Sequence, residues 1–397
     1  MKKSFLLAAF AGILLAGCTS DEQTEVATSR TDNPIVFNSP IVNAQTRAVA
    51  GEQPVWDATN SKYIYSTSEN FRVYAVQHIG NFQGWTAAET QLYLNNLEVI
   101  YKPSINDNGT TKAGWEPSFP VYWPKTENAK LTFAAYSPSE ASEFHPTYNG
   151  SGLSLTDFTP KSNVAEQYDL MYSSRSYNRT ESKNELTSGT DHTINSYDGV
   201  DILFHHALSS INFKAKTAAN YSNTEIKIKK ITINNAYTTA DFKENITNEE
   251  VAHFASDPSW SNFQTPRNYV VYDSETSALS TALSTDAIDL GSPALLIPQK
   301  MDGTDASSPA QAKEIKVTVN YTIKVGEGTA VAQTGVVSFK DGYNNGYFND
   351  GNGNDIKAWE MGKRYTYTIS IGLNNIIYFS PEVDDWKNIN AEGDITI

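Results

Sequence analysis

Cysteine is almost absent from this chain. One thiol, Cys18, stands among 397 residues, so no internal disulfide can form and any exported domain must hold together by burial alone. Metal and nucleophile signatures are also missing. The 6 histidines, His78, His145, His192, His205, His206 and His253, are scattered and match no H-E-x-x-H or similar ligand spacing. There is no G-x-S-x-G, no phosphate-cradling glycine loop and no cysteine left for catalysis, so no enzyme signature is present and no cofactor is expected. Basic residues are the minority: 30 Lys and Arg against 45 Asp and Glu give a net charge of −15, which opposes nonspecific binding to nucleic acid or to an anionic membrane surface. Beyond the N-terminus no apolar run approaches the ~20 residues a membrane-spanning helix needs.

The front end is the most specific feature. Lys2 and Lys3 form a positive n-region and Ser4 to Leu15 a short apolar h-region, followed by Leu15-Ala16-Gly17-Cys18. This order reads as a bacterial lipoprotein signal over residues 1–17, cut between Gly17 and Cys18 once the thiol carries a diacylglycerol. An ordinary signal peptide with an incidental cysteine, or an uncleaved anchor, are the alternatives, and the apolar run is short for an anchor. From Thr19 to Asn33 the chain is polar and without period, as expected of a tether. Pro34 to Val42 then gives a short apolar strand, Ile35-Val36-Phe37, bracketed by prolines. A second polar stretch ends at Arg47, followed by Ala48-Val49-Ala50-Gly51, where small residues leave room for a trypsin-like protease; Arg30 is a second candidate cut.

Beyond Gly51 the composition favours sheets. Hydrophobic residues are 39% and aromatics 12%, with 22 Tyr, 17 Phe and 7 Trp amid abundant Thr, Ser and Ile. Short alternating runs, Phe71 to Val76 and Lys130 to Tyr136, predict half-buried strands. A polar region from Ser173 to Gly199 reads as a linker or long loop, and strands resume with Val200 to Phe204, Ile211 to Ala215, Ile226 to Ile233, Ile315 to Ile323 and Tyr365 to Ile371. The expected division is a tether and propeptide over 18–47, one domain over 48–198 and a second over 199–397.

Four further features call for a bland and a functional reading side by side. Asp350, Asn352 and Asn354 mimic the start of a calcium loop, but Asp355 stands where a glycine is required and no glutamate closes the loop, so a hairpin turn is the better reading. Adjacent His205 and His206 on a strand point to opposite faces, which favours packing or capping over a shared metal. The tryptophans Trp56, Trp85, Trp115, Trp123, Trp260, Trp359 and Trp386 suit a core better than a sugar-stacking platform, although a permanently lipidated glycan-binding surface protein remains the alternative function. The chain ends in Ile395-Thr396-Ile397, an alternating apolar strand without an evident partner.

Several motifs recur in one order. They are Phe71-Arg72-Val73-Tyr74-Ala75, Val121-Tyr122-Trp123-Pro124, Leu131 to Pro138, Gln167 to Tyr172, Phe204 to Ile211, Leu295-Leu296-Ile297-Pro298-Gln299, and Trp359 through Gly362-Lys363-Arg364-Tyr365-Thr366-Tyr367. In this order behind a lipobox they resemble the fimbrillin family, subunits of type V pili on Gram-negative surfaces. The resemblance implies an all-β protein with two transthyretin-like β-sandwich domains after a lipoprotein signal and propeptide. It implies anchoring in the outer membrane through lipid on Cys18, a cut after Arg47 by an arginine-specific protease, and other pilus subunits as partners. Ile35-Val36-Phe37 would be the displaced plug strand and Ile395-Thr396-Ile397 part of the donor strand. The physical logic is general: a strand removed from a sandwich leaves unpaired backbone groups and an apolar groove, and an incoming strand restores both ladder and burial.

Overall fold

The computed structural model describes residues 34–38, 40–42, 55–57, 62–79, 91–107, 110–124, 129–148, 152–174, 200, 202–246, 256–275, 282–305, 313–340, 347–350, 353–373 and 377–385. Strands in chain order are β1 (Ile41–Val42), β2 (Val55–Asp57), β3 (Lys62–Ile64), β4 (Phe71–Ile79), β5 (Gln91–Asp107), β6 (Thr110–Pro117), β7 (Ala129–Ser137), β8 (Thr147–Tyr148), β9 (Leu153–Phe158) and β10 (Met171–Ser174). They continue as β11 (Leu203–His206), β12 (Ser209–Thr217), β13 (Thr224–Ile246), β14 (Ser256–Asp273), β15 (Ile288–Asp289), β16 (Ala294–Leu296), β17 (Lys316–Val325), β18 (Val331–Ser338), β19 (Lys363–Ile371) and β20 (Ile377–Asp385). Among the described residues the only helices are two short 3-10 turns, Ser139–Phe144 and Val164–Glu166, so the protein is all-β.

Among the described residues three sheets are formed. The first runs β2-β3-β1-β11-β10-β7-β4-β5-β6; the second runs β15-β12-β19-β20 with β16 also on β12; the third runs β18-β17-β13-β9-β8 with β14 also on β13. Three pairings cross residue 198, since β11 joins both β10 and β1 in the first sheet and β9 joins β13 in the third.

Alternation explains how these sheets stack. In β4, Phe71, Val73 and Ala75 enter one core while Tyr74 and Val76 enter another, and in β7 Leu131, Phe133 and Ala135 divide from Ala134 and Tyr136 in the same way. Both faces of the first sheet's middle are therefore buried, where alternation predicts half-buried strands, because a core lies on each side of this sheet. The first core gathers Ile35, Phe37 and Val42 of the N-terminal segment against Phe71, Phe133 and Phe204. The second lies between this sheet and Leu153, Leu155, Phe158, Tyr237 and Phe242. The third fills the space between Ile211, Phe213, Tyr367 and Ile369 on one side and Ile226, Ile231, Val317 and Val319 on the other.

β13 serves two of these cores. Its register shifts against β14 between Ile231 and Thr232, Ile233 and Ala236, and Thr239 and Asp241. Such bulges re-aim the strand, so its residues up to Ala236 face the third core and Tyr237, Ala240 and Phe242 face the second. β9 meets β13 so closely that Gly152, at φ +135°, leaves no room for a Cβ, which would lie 1.6 Å from the Glu244 carbonyl oxygen.

Candidate strand-exchange site

The N-terminal segment threads between two parts of the first sheet. Pro34 and Phe37 bridge antiparallel to Tyr122 and Trp115, and on its other side Phe37 bridges parallel to Val200. Ile35 N–H donates to the Val121 carbonyl at 2.9 Å and Phe37 N–H to the Trp115 carbonyl at 2.8 Å. Asn38 N–H donates to the Val200 carbonyl at 3.0 Å, and Val200 N–H donates back to the Val36 carbonyl at 2.8 Å. The chain then continues into β1, parallel to β11 at Ile41↔Leu203 and Val42↔Phe204 and antiparallel to β3 at Ile41↔Ile64. The segment thus joins the β6 end of the sheet order to the β11 region and closes the sheet on itself.

Its prolines fall where they do no harm. Proline cannot donate to a ladder, and Pro40 contributes only its carbonyl, which accepts from Tyr65 N–H at 2.9 Å. Side chains supply the rest of the fit. Ile35, Val36, Phe37 and Val42 are all buried, and Phe37 stands edge-on to both Phe71 and Phe133 at 5.7 Å. Tyr65, Phe71, Trp115 and Phe204 pack round the same space, with centroid separations of 5.3 to 5.9 Å. The Tyr65 hydroxyl donates to the Asn70 carbonyl at 3.0 Å and lies 2.6 Å from the Ser137 hydroxyl; burial pushes its phenol well above the usual range, and the nearby Glu69 adds to the rise.

Withdrawing the segment would expose an aromatic groove, open the β1 pairings with β11 and β3, and free five further backbone groups: the carbonyls of Val121, Trp115 and Val200, and the N–H groups of Val200 and Tyr65. Water satisfies an open sheet edge only at the cost of leaving the groove wet, so the vacated site favours another strand of alternating apolar residues. Among the described residues no group of three or more His, Cys, Asp or Glu side chains is placed to hold a metal.

Of the residues singled out from sequence, Ile35, Val36 and Phe37 are brought into this site. Gly17, Cys18, Arg30, Arg47, Ala48, Ile395, Thr396 and Ile397 lie outside the described residues. Trp115 and Trp359 are fully buried, and Trp123 and Trp260 are partly buried. The Trp260 indole N–H donates to the Ala207 carbonyl and that of Trp359 to the Tyr367 hydroxyl, so these two rings pack inward; Trp85 and Trp386 lie outside the described residues. Asn349 bridges antiparallel to Asp355, and the Asp350 carboxylate accepts from the backbone and side-chain amides of Asn354.

Sequence reasoning missed the groove walls at Tyr65, Trp115 and Val200, and it missed a buried pair. His206 Nδ1 lies 2.8 Å from Asp169 Oδ2, joining the Gln167–Tyr172 and Phe204–Ile211 motifs. Burial pushes the Asp169 carboxyl up while His206 opposes the rise; on the opposite face burial, reinforced by His206, pulls His205 down to about 4. Other motif residues are also structural ties. Gln167 Oε1 accepts from Leu295 N–H at 2.7 Å, and Gln299 Oε1 accepts from Tyr237 N–H at 2.7 Å. The signal that could have found them is the occurrence of polar residues inside otherwise apolar motifs.

Among solved structures the chain is similar to a fimbrial protein from Bacteroides vulgatus, with 16% identity, a TM-score of 0.47, and 89% of this chain and 100% of that one covered. It is similar to a Bacteroides uniformis protein assigned to cell adhesion, with 14% identity, a TM-score of 0.46, and 90% and 100% covered. It is also similar to the tip fimbrial protein Mfa3 from Porphyromonas gingivalis, with 12% identity, a TM-score of 0.35, and 88% and 99% covered. No curated protein matches the chain. The family profile described as fimbrillin-like matches residues 46–386, a span that begins just after the N-terminal segment and takes in every described strand except β1, and the chain therefore belongs to the fimbrillin-like family.

Proposed function

We propose that this chain is a pilus subunit that is exported as a lipoprotein on Cys18, matured by cleavage after Arg47, and polymerised when a strand of another subunit replaces residues 34–42. The observation that carries this reading is the seating of that segment: hydrogen-bonded on both sides, buried through Ile35, Val36, Phe37 and Val42, and tied to the rest of the chain through a stretch that contains Arg47. A strand with that much of the first core in its side chains is a poor leaving group while tethered. A cut after Arg47 turns it into a separate peptide that dilution removes. The family match beginning at residue 46 is consistent with a mature chain that starts near the cut. In this reading the lipid holds the subunit at the outer membrane until the same cut releases it, residues 395–397 belong to the donor strand, and the mature chain forms two β-sandwich units that exchange strands across residue 198.

The test is digestion of the unlipidated chain with an arginine-specific protease, followed by native electrophoresis and electron microscopy. A cut after Arg47, loss of the released peptide and growth of ladders or fibres are expected, with Arg47→Ala remaining monomeric. A clean cut that leaves the peptide bound and the protein monomeric overturns the proposal.

A further inference from the structure

The three sheets differ in how their outer strands are protected. β14 carries Pro258 and Pro266 and has Asn262 and Thr265 at positive φ. β20 carries Pro381 and the carboxylates Glu382, Asp384 and Asp385. β6 is covered at Trp115 by Phe37. Proline, charge, distortion and covering are the usual devices against edge-to-edge pairing. Among the described residues β18 has none of them. It ends the third sheet's order, its sequence VAQTGVVS holds neither proline nor charge, and its pairing with β17 runs without a register shift. Val331 and Val336 are 56% and 60% exposed, and Val325 at the end of β17 is 61% exposed.

We propose that β18 is a homophilic docking edge, to which a second copy of this chain adds its own β18 antiparallel about a two-fold axis at Thr334. This goes beyond strand exchange and does not rest on it, because β18 belongs to the third sheet and the groove to the first. Pairing with β17 fixes the faces. Val331, Gln333, Gly335 and Val337 lie opposite Ile323, Tyr321, Val319 and Val317 on the core side, while Ala332, Thr334 and Val336 face solvent.

A two-fold axis at Thr334 keeps both sets on their own faces. It sets Thr334 against its copy, Ala332 against Val336, and exposed Val331 against Val337, whose side chain already rests on the third core. Such cross-strand pairs are the unit of sheet stabilisation. Gly335, mid-strand, lets a neighbouring backbone approach closely. The same register carries the exposed Lys340 of each copy toward the β17–β18 turn of the other, which holds exposed Glu327, so both ends of the contact meet with opposite charge. A net charge of −15 opposes self-association elsewhere, whereas an uncharged edge meets its copy without repulsion. One strand pair buries less than the ~1,200 Å² of a stable interface, so the contact is weak between free subunits and adds up along assembled ones.

The test uses the full chain with Cys18→Ser, Arg30→Ala and Arg47→Ala, which is free of cysteine, unlipidated and closed to exchange after cleavage, so its outcome is separate from that of the pilus proposal. Analytical ultracentrifugation from micromolar to millimolar protein is expected to show a monomer–dimer equilibrium that Thr334→Glu abolishes, because two carboxylates would then face each other on the axis. In the same background Thr334→Cys is expected to form a disulfide dimer with oxidised glutathione, since antiparallel partners sit about 4.5–5.5 Å apart at Cα, within disulfide reach. Thr322→Cys on β17, one strand inward, is expected not to cross-link. A monomer at every concentration, cross-linking at Thr322→Cys equal to that at Thr334→Cys, or a dimer unaffected by Thr334→Glu overturns the proposal.

Discussion

Truncating Phe37 is the sharpest way to ask how much of the first core the N-terminal segment carries. The ring is 3% exposed and meets Phe71 and Phe133 edge-on, both at 5.7 Å. Phe→Ala at such a site costs about 3–5 kcal/mol in lost transfer energy and residual cavity, of which the two ring contacts supply about 0.5–1.5 kcal/mol each. The relevant readout is opening of the segment, because its backbone bonds report on its own seating. Val200 N–H, bonded to the Val36 carbonyl at 2.8 Å, is the natural probe, with the amides of Ile35 and Phe37 beside it. At about 1.4 kcal/mol per decade, Phe37→Ala in the uncleaved chain speeds hydrogen exchange at Val200 by roughly two to nearly four orders of magnitude. An increase below about tenfold would refute the reasoning, since the segment would then be held by something other than its burial.

Three further outcomes follow from the same contacts. Burial lifts the phenols of Tyr65 and Tyr74 above the ordinary 10.0, Tyr74 to about 12, so the unfolded chain releases these protons first and stability present below pH 10 falls as pH rises toward 12; Tyr74→Phe makes that fall shallower in alkaline unfolding. At neutral pH the same substitution costs about 1 kcal/mol, because the Tyr74 hydroxyl donates to the Pro146 carbonyl at 2.6 Å. Gly152→Ala drives a Cβ into the Glu244 carbonyl where β9 meets β13 and costs about 3 kcal/mol in thermal unfolding, against about 1 kcal/mol for Gly326→Ala, which meets only the Asn223 side chain. Asp169→Ala strips the buried His206 of its partner at 2.8 Å and costs about 3–5 kcal/mol in urea unfolding.

Local pattern revealed the strands, and non-local pairing hid the site. Phe71 to Val76 and Lys130 to Tyr136 were legible because alternation is a local property, and each forms the body of a strand, β4 and β7. Ile35-Val36-Phe37 was legible as a short apolar strand, but its neighbours Trp115 and Val200 are far off in sequence, and Trp115 sits in a run, Ala-Gly-Trp-Glu-Pro, with no clear period. β13 was read as Ile226 to Ile233, yet it runs from Thr224 to Ile246. Its bulges and the left-handed Asn235, at φ +64°, break the two-residue period just where the strand passes from one core to the next. His206 was legible as a packed histidine from strand geometry alone, whereas its partner Asp169 reads as one more carboxylate in an acidic chain.

The most direct measurement of the central claim is a density map of the polymer grown from Arg47-cleaved chain, read between Trp115, Val121 and Val200. The account predicts that the strand there, donating to the Val121, Trp115 and Val200 carbonyls and accepting from the Val200 N–H, comes from a neighbouring subunit and that residues 34–42 are gone. A fibre in which residues 34–42 still occupy that position would show that subunits assemble by another contact, and would contradict the account.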